Sequence, residues 1–244
     1  MTYDFTCLTA LVTGAARGIG RATALTLQSR GANVVASDVR EEVHDLANHG
    51  IATLVGDITE ESTAVRSVAL ATERFGCLNI LVNNAGRTLN KRLVDTTAAD
   101  WDTVMAINAR GTFLHAREAI KAMMKTGGVI VNVASIVAQV AMKDTAVYAA
   151  SKGAIAQLTK AIAVEYGSHG IRANAVLPGV IETDILEGIV SDSRATLASY
   201  ASAQPLGRVG QPQEIAEVIA FLASPASSFM TGALVTADGG FTAL

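Results

Sequence analysis

A chain of 244 residues that is 50% hydrophobic and 17% charged has the size and apolar content of one α/β domain, residues 1–244, built on a parallel sheet covered on both faces. Its net charge of −3 excludes the basic footprint of a nucleic-acid or anionic-membrane binder. Cys7 and Cys77 lack Cys-x-x-Cys spacing and His44, His49, His115 and His169 are scattered, so neither staple nor metal centre is expected, and both thiols read as small buried hydrophobes in a reducing compartment.

No stretch approaches the ~18 apolar residues that span a bilayer, and the first residues carry no basic, apolar leader, so the expected location is cytoplasmic. In chain order, a first strand at 10–13 enters the glycine loop 14–20 and a helix over 21–30, with Gly31 placed for a left-handed stop. A strand at 33–37 ends on Asp38, a short polar helix covers 41–48, and a third strand occupies 51–55. Asp57, Ile58, Thr59 and Glu60 resemble a capping box opening the next helix, which ends near Gly76 ahead of a strand at 80–82. Thr97 and Asp100 form a second such pattern, for a long helix to about Met124 that Gly127 and Gly128 stop. A strand at 129–133, a helix over 146–166 and a strand at 171–176 lead to Pro178 and Gly179. Residues 181–204 are irregular and polar and are expected to form a substrate loop. Pro212 then leads a helix to about Ala223, and 233–236 is a last strand. This alternation predicts a Rossmann-like, doubly wound α/β fold with a seven-stranded, mainly parallel sheet.

Such sheets hold ligands beyond the carboxyl ends of their strands, so the residues just after each strand carry the functional reading. Gly14, Gly18 and Gly20 let the backbone approach a pyrophosphate at a helix N-terminus, whose free NH groups favour an anion. Asp38 can accept hydrogen bonds from both adenosine ribose hydroxyls and would repel a 2′-phosphate, which favours NAD over NADP, although Arg17 or Arg40 could meet that phosphate instead. Asp57 can hydrogen-bond an adenine amino group as well as cap a helix. Tyr148 and Lys152, four apart in a helical segment, share a face. A free tyrosine titrates near ~10 and a nearby cation favours its phenolate, so the pair can do general acid/base work. Ser135 either hydrogen-bonds a substrate oxygen near Tyr148 or only closes a turn. Asn108, inside a helix, either holds a water leading to Lys152 or only packs. Asn84, Ala85 and Gly86 either turn beside the cofactor or only stabilise the sheet, and Trp101 reads as packing on the long helix.

Thr13-Gly14-Ala15-Ala16-Arg17-Gly18-Ile19-Gly20, then Asn83-Asn84-Ala85-Gly86, then Asn108, Ser135, Tyr148 and Lys152 in that order resemble the short-chain dehydrogenase/reductase family over essentially the whole chain. The resemblance implies a catalytic tetrad of Asn108, Ser135, Tyr148 and Lys152. It implies a dinucleotide held by Gly14, Arg17, Gly18, Ile19 and Gly20, by Asp38, Asp57 and Ile58, and by Asn84, Ala85 and Gly86. Tyr148 and Lys152 would meet its nicotinamide end, with Pro178, Gly179, Ile181 and Thr183 alongside. The implied reaction is NAD(H)-linked interconversion of a secondary alcohol and a ketone, and the implied assembly a homotetramer packed through the helices of Asn108 and Tyr148. An NADPH-dependent 3-oxoacyl carrier-protein reductase is the nearest alternative, and a non-catalytic dinucleotide sensor the alternative of another class. Enoyl reductases of related fold space tyrosine and lysine more widely. The expected pocket, Arg87, Thr88, 136–142 and 180–200, is mostly small or apolar and suggests a neutral substrate, with Lys91, Arg92 and Lys143 solvated.

Overall fold

Runs of Val, Ile, Leu and Ala without polar alternation make strands buried on both faces, and β1 (Thr9–Thr13) is buried at every residue. The computed structural model, which describes residues 3–243, continues with β2 (Asn33–Asp38), β3 (Ala52–Val55), β4 (Ile80–Asn83), β5 (Gly128–Val133), β6 (Ile171–Pro178) and β7 (Leu234–Ala237). All seven strands are parallel, in the order β3-β2-β1-β4-β5-β6-β7. The order reverses between β1 and β4, so the loops leaving their carboxyl ends diverge and open a crevice there.

One face of the sheet is covered by α1 (Gly18–Ser29) and α7 (Pro212–Ala223), which bring Ala24, Leu27, Ile215, Ile219 and Leu222 onto Val12, Val34 and Val82. The other is covered by α2 (Glu61–Phe75), α4 (Gly111–Met123) and α5 (Ala146–Tyr166), with Val68, Ala116, Ile120, Met123 and Ile162 against Leu11, Leu81 and Ile130. A buried polar chain ties this second layer to the sheet. Asn83 Nδ2 donates to Asn132 Oδ1 at 2.9 Å, and Asn132 Nδ2 donates to Thr159 Oγ1 at 2.8 Å, which donates to the Ile155 carbonyl at 2.8 Å. Asn132→Ala leaves buried partners unpaired and is expected to cost about 2 kcal/mol of stability, read as a lower denaturant midpoint; an unmoved midpoint would show that the chain contributes nothing net.

Several local expectations are corrected. Asp57 caps no helix: its Oδ1 accepts from the Thr59 amide at 2.8 Å, closing a turn two residues on, and α2 starts later, with Glu60 as a cap that makes no side-chain bond. The Thr97 and Asp100 capping box does form, at the head of α3 (Ala98–Met105). The helix it opens is not uniform, because a π turn at Ala106–Arg110 interrupts it before α4, and Asn108 lies in that turn. Residues 41–49 wind as a 3-10 helix. Within 181–204, α6 (Ser193–Ser199) is capped by Asp192, and Leu186 and Leu197 are buried, so the segment has a core-facing side that its composition hid. Cys7 is exposed, at a positive φ of 65°. Trp101 is 43% exposed, so its packing on the helix is partial.

Candidate active site

The glycine loop is shaped by what lies beside it. Thr13 Oγ1 accepts from the amides of Asn84 at 3.1 Å and Ala85 at 3.2 Å, while Asn84 Nδ2 donates to the carbonyls of Thr13 at 3.0 Å and Gly14 at 2.9 Å. The ends of β1 and β4 are thereby locked together. Gly14 holds a φ of +66°, and a Cβ on it would lie 2.6 Å from Ala85 Cα. Helix α1 begins immediately after, with no capping side chain and no acidic residue in its first turn, so its first amides face the crevice unpaired and favour an anion.

That crevice is a cavity of about 440 Å³ bordered by Gly14, Arg17, Gly18 and Ile19, by Asp38, by Asp57 and Ile58, and by Asn84, Ala85, Gly86 and Thr183. Asp38 is partly committed: Oδ2 accepts from the Ala16 amide at 2.9 Å and Oδ1 from the Arg40 amide at 3.0 Å, leaving the remaining lone pairs for a ligand. Arg17 is bonded to Glu187 and lies 3.9 Å from Asp184, and Arg40 Nη2 lies 3.7 Å from Glu187. Glu187 thus faces both arginines that could have met a 2′-phosphate. Nothing in the sequence singled it out, since only the fold carries it across to α1. His115 also borders this cavity. It is buried, Nδ1 lies 3.1 Å from the Gly111 carbonyl, and burial pushes its pKa down, so the ring is neutral.

A second cavity of about 180 Å³ opens from the first, sharing Ile19, Asn84, Gly86, Arg87, Thr183 and Ile185 with it. Ser135, Tyr148, Lys152, Pro178, Gly179 and Ile181 border it. Three elements deliver the reactive groups. β5 ends just before Ser135, whose extended backbone (φ −175°) turns its hydroxyl toward the amide of Val137 at 3.4 Å. Helix α5 presents Tyr148 and Lys152 one turn apart, as their spacing required. The Lys152 ammonium is buried, donates to the Val133 carbonyl at 2.8 Å and stands 5.7 Å from the centre of the Tyr148 ring.

The electrostatics differ from the sequence expectation in one respect. Burial of the phenol pushes the Tyr148 pKa up to about 12 despite the nearby ammonium, and the hydrogen bond with Ser135 opposes the rise. Burial likewise brings Lys152 down to about 8. Asn108 is wholly buried and both its Nδ2 protons are used: Oδ1 accepts from the Arg87 amide at 2.9 Å, and Nδ2 donates to the Arg87 carbonyl at 2.9 Å and to Ser151 Oγ at 2.8 Å. Its side chain therefore pins the segment after β4 to α5. Of the groups expected to act together, the structure brings Ser135, Tyr148 and Lys152 into one cavity and places Asn108 behind them.

The cradle fits a dinucleotide: close backbone approach at Gly14, open amides at α1, a carboxylate at the end of β2, and a proton-handling pair where the two cavities join. The family model described as enoyl-(acyl carrier protein) reductase matches residues 14–242. The cis-4-hydroxycyclohexanecarboxylate dehydrogenase of Sinomonas cyclohexanicum is 42% identical, covering 96% of this chain and 96% of that protein. The 3-oxoacyl-(acyl-carrier-protein) reductase FabG of Thermotoga maritima is 39% identical, covering 94% of this chain and 96% of its own. A solved short-chain type dehydrogenase/reductase from Mycobacterium marinum superposes with a TM-score of 0.91 at 32% identity, covering 100% of this chain and 98% of that one. The chain belongs to the short-chain dehydrogenase/reductase family, oxidoreductases that work with a nicotinamide dinucleotide.

Proposed function

We propose that the protein interconverts a secondary alcohol and its ketone with NAD(H), using Tyr148 as general acid/base. The observation that carries this reading is the joining of the two cavities, with Ser135, Tyr148 and Lys152 at one end and Asp38 at the other. When bound, the nicotinamide supplies the hydride acceptor or donor. In oxidation Tyr148 takes the hydroxyl proton, and in reduction it returns one. Ser135 orients the substrate oxygen beside Tyr148, and Lys152 holds positive charge under the site and meets the nicotinamide ribose. Asn108 positions Arg87 and α5, and the widened π turn it lies in supports a proton path toward Lys152. Residues 181–204 close over the substrate within a single domain of 1–244.

Asp38, and Glu187 beside Arg17 and Arg40, support NAD over NADP, since a 2′-phosphate would meet three nearby carboxylates, Asp184 included. A fluorescence titration with NADH and NADPH tests this: NADH is expected to bind at least about tenfold tighter, about 1.4 kcal/mol, and Asp38→Ala to erase most of that difference. Discrimination unmoved by the substitution would remove Asp38 from the selector role. The second reading, an NADPH-linked 3-oxoacyl reductase, is favoured by the name of the Thermotoga relative and gains first place if NADPH binds tighter. The name of the Sinomonas relative supplies the first substrate to try, 4-hydroxycyclohexanecarboxylate. Phe113 on α4 and Val164 on α5, 45% and 86% exposed, support a homotetramer closed through those helices. No helix among the described residues is long and apolar enough to cross a membrane, and a cytoplasmic enzyme is the reading that accompanies this.

A further inference from the structure

The composition of the pocket pointed to a neutral substrate, but its charges, once placed, point elsewhere. No aspartate or glutamate borders the substrate cavity. Two cations do: Lys152, committed to the Val133 carbonyl and the chemistry, and Arg87. The neighbouring cations are spent, Lys91 on Asp100 at 2.7 Å and Arg92 on Asp95 at 3.2 Å, whereas no ion pair among the described residues involves Arg87. Its backbone is nevertheless anchored, amide and carbonyl both held at 2.9 Å by the buried Asn108 side chain. An exposed guanidinium therefore leaves a fixed point at the rim of a cavity in which Ile136, Val137, Met142, Leu186 and Leu197 form apolar wall and Thr88, Asn90, Thr145 and Tyr200 add polar groups.

We infer that the substrate is an apolar-bodied hydroxy acid whose carboxylate, remote from the reacting carbon, is held by Arg87 while its hydroxyl meets Ser135 and Tyr148. The guanidinium presents a planar fork matched to a carboxylate, and the hydrocarbon walls accept a ring or alkyl body without stranding polar groups. The carboxylate takes no part in the chemistry: the carbinol C–H leaves as hydride to the nicotinamide and the hydroxyl proton goes to Tyr148. The inference rests on the alcohol-ketone reading, and it deepens that reading by naming the substrate class.

The test separates the two. Binding of 4-oxocyclohexanecarboxylate and of its methyl ester to the enzyme–NAD complex is measured by calorimetry for the wild type, Arg87→Gln and Arg87→Lys. The acid is expected to bind at least about tenfold tighter than the ester, a preference that shrinks as ionic strength rises. Arg87→Gln should bring the ratio to near one, and Arg87→Lys should retain part of it. A wild-type ratio near one, or a ratio that survives Arg87→Gln, overturns the inference. So does a weakened NADH affinity in Arg87→Gln with the acid/ester ratio unmoved, because Arg87 also borders the dinucleotide cavity and would then belong to the cofactor. Failure to turn over either the acid or the ester with both nicotinamide cofactors would instead strike at the reaction reading, leaving the binding ratio to stand or fall by itself.

Discussion

Replacing Tyr148 with phenylalanine is expected to lower kcat by about 10²- to 10⁴-fold while leaving NADH affinity nearly intact. The ring keeps its place on α5, so the shape of the cavity is preserved, and only the oxygen that meets Ser135 is lost. The size of the effect comes from position: Tyr148 is the phenol that meets Ser135, while Lys152 donates to a carbonyl and Tyr200, the other phenol on the cavity, lies on the far segment 181–204. Impaired NADH binding with an unchanged chemical step would remove Tyr148 from its role. The wild-type pH profile gives an independent reading. Tyr148 lies near 12 and Lys152 near 8, so at neutral pH the phenol holds its proton and the lysine its charge. Ketone reduction consumes a proton and is ready in that state, whereas alcohol oxidation must first lose one. Oxidation is therefore expected to rise with pH, by up to about tenfold per unit on the acid side, and reduction to fall at high pH. Tyr148→Phe should abolish the rise of oxidation with pH.

Gly20→Ala is expected to be the most damaging single methyl group in the chain. Its Cβ would lie 2.1 Å from the Gly14 carbonyl oxygen and 2.4 Å from Asn84 Nδ2. Neither can retreat, because that carbonyl is the backbone of the loop and the Asn84 amide is already bonded to it and to Thr13. The loop must open, which separates β1 from β4 at their ends and tilts the α1 amides away from an anion. A loss of about 3 kcal/mol or more in stability and at least about a hundredfold in NADH affinity is expected, by chemical denaturation and by fluorescence titration. Gly18→Ala is the control within the same loop: its Cβ would meet only Thr183 Cγ2 at 3.4 Å, leaving the strain of a +54° φ, about 1–2 kcal/mol. Near-wild-type values for Gly20→Ala, or equal damage from both, would show that the loop is held by something other than close packing.

The order and type of the elements were legible because their causes are local. Val12, Val34, Val82 and Val131 sit in short, β-branched apolar runs bounded by turn residues, the mark of doubly covered strands, Pro212 can open a helix but not continue one, and Tyr148 and Lys152 share a face at any helical four-residue spacing. The places after the strands where Gly14, Asp38, Asn84 and Ser135 fall were legible for the same reason, and the structure brings them to one edge of the sheet. What tertiary structure alone decided is which partner each polar group found. Asp57 was expected to cap a helix and closes a turn on the Thr59 amide instead. Asn108 spends its amide on Arg87 and Ser151, residues distant in sequence. The pKa of Tyr148 depends on how much protein surrounds the phenol, which no spacing encodes, and Glu187 met Arg17 only because residues 181–204 fold back across α1. Propensity and hydrophobic period act over a few residues and can be read along the chain; burial and pairing are sums over neighbours in space and exist only once the chain has closed on itself.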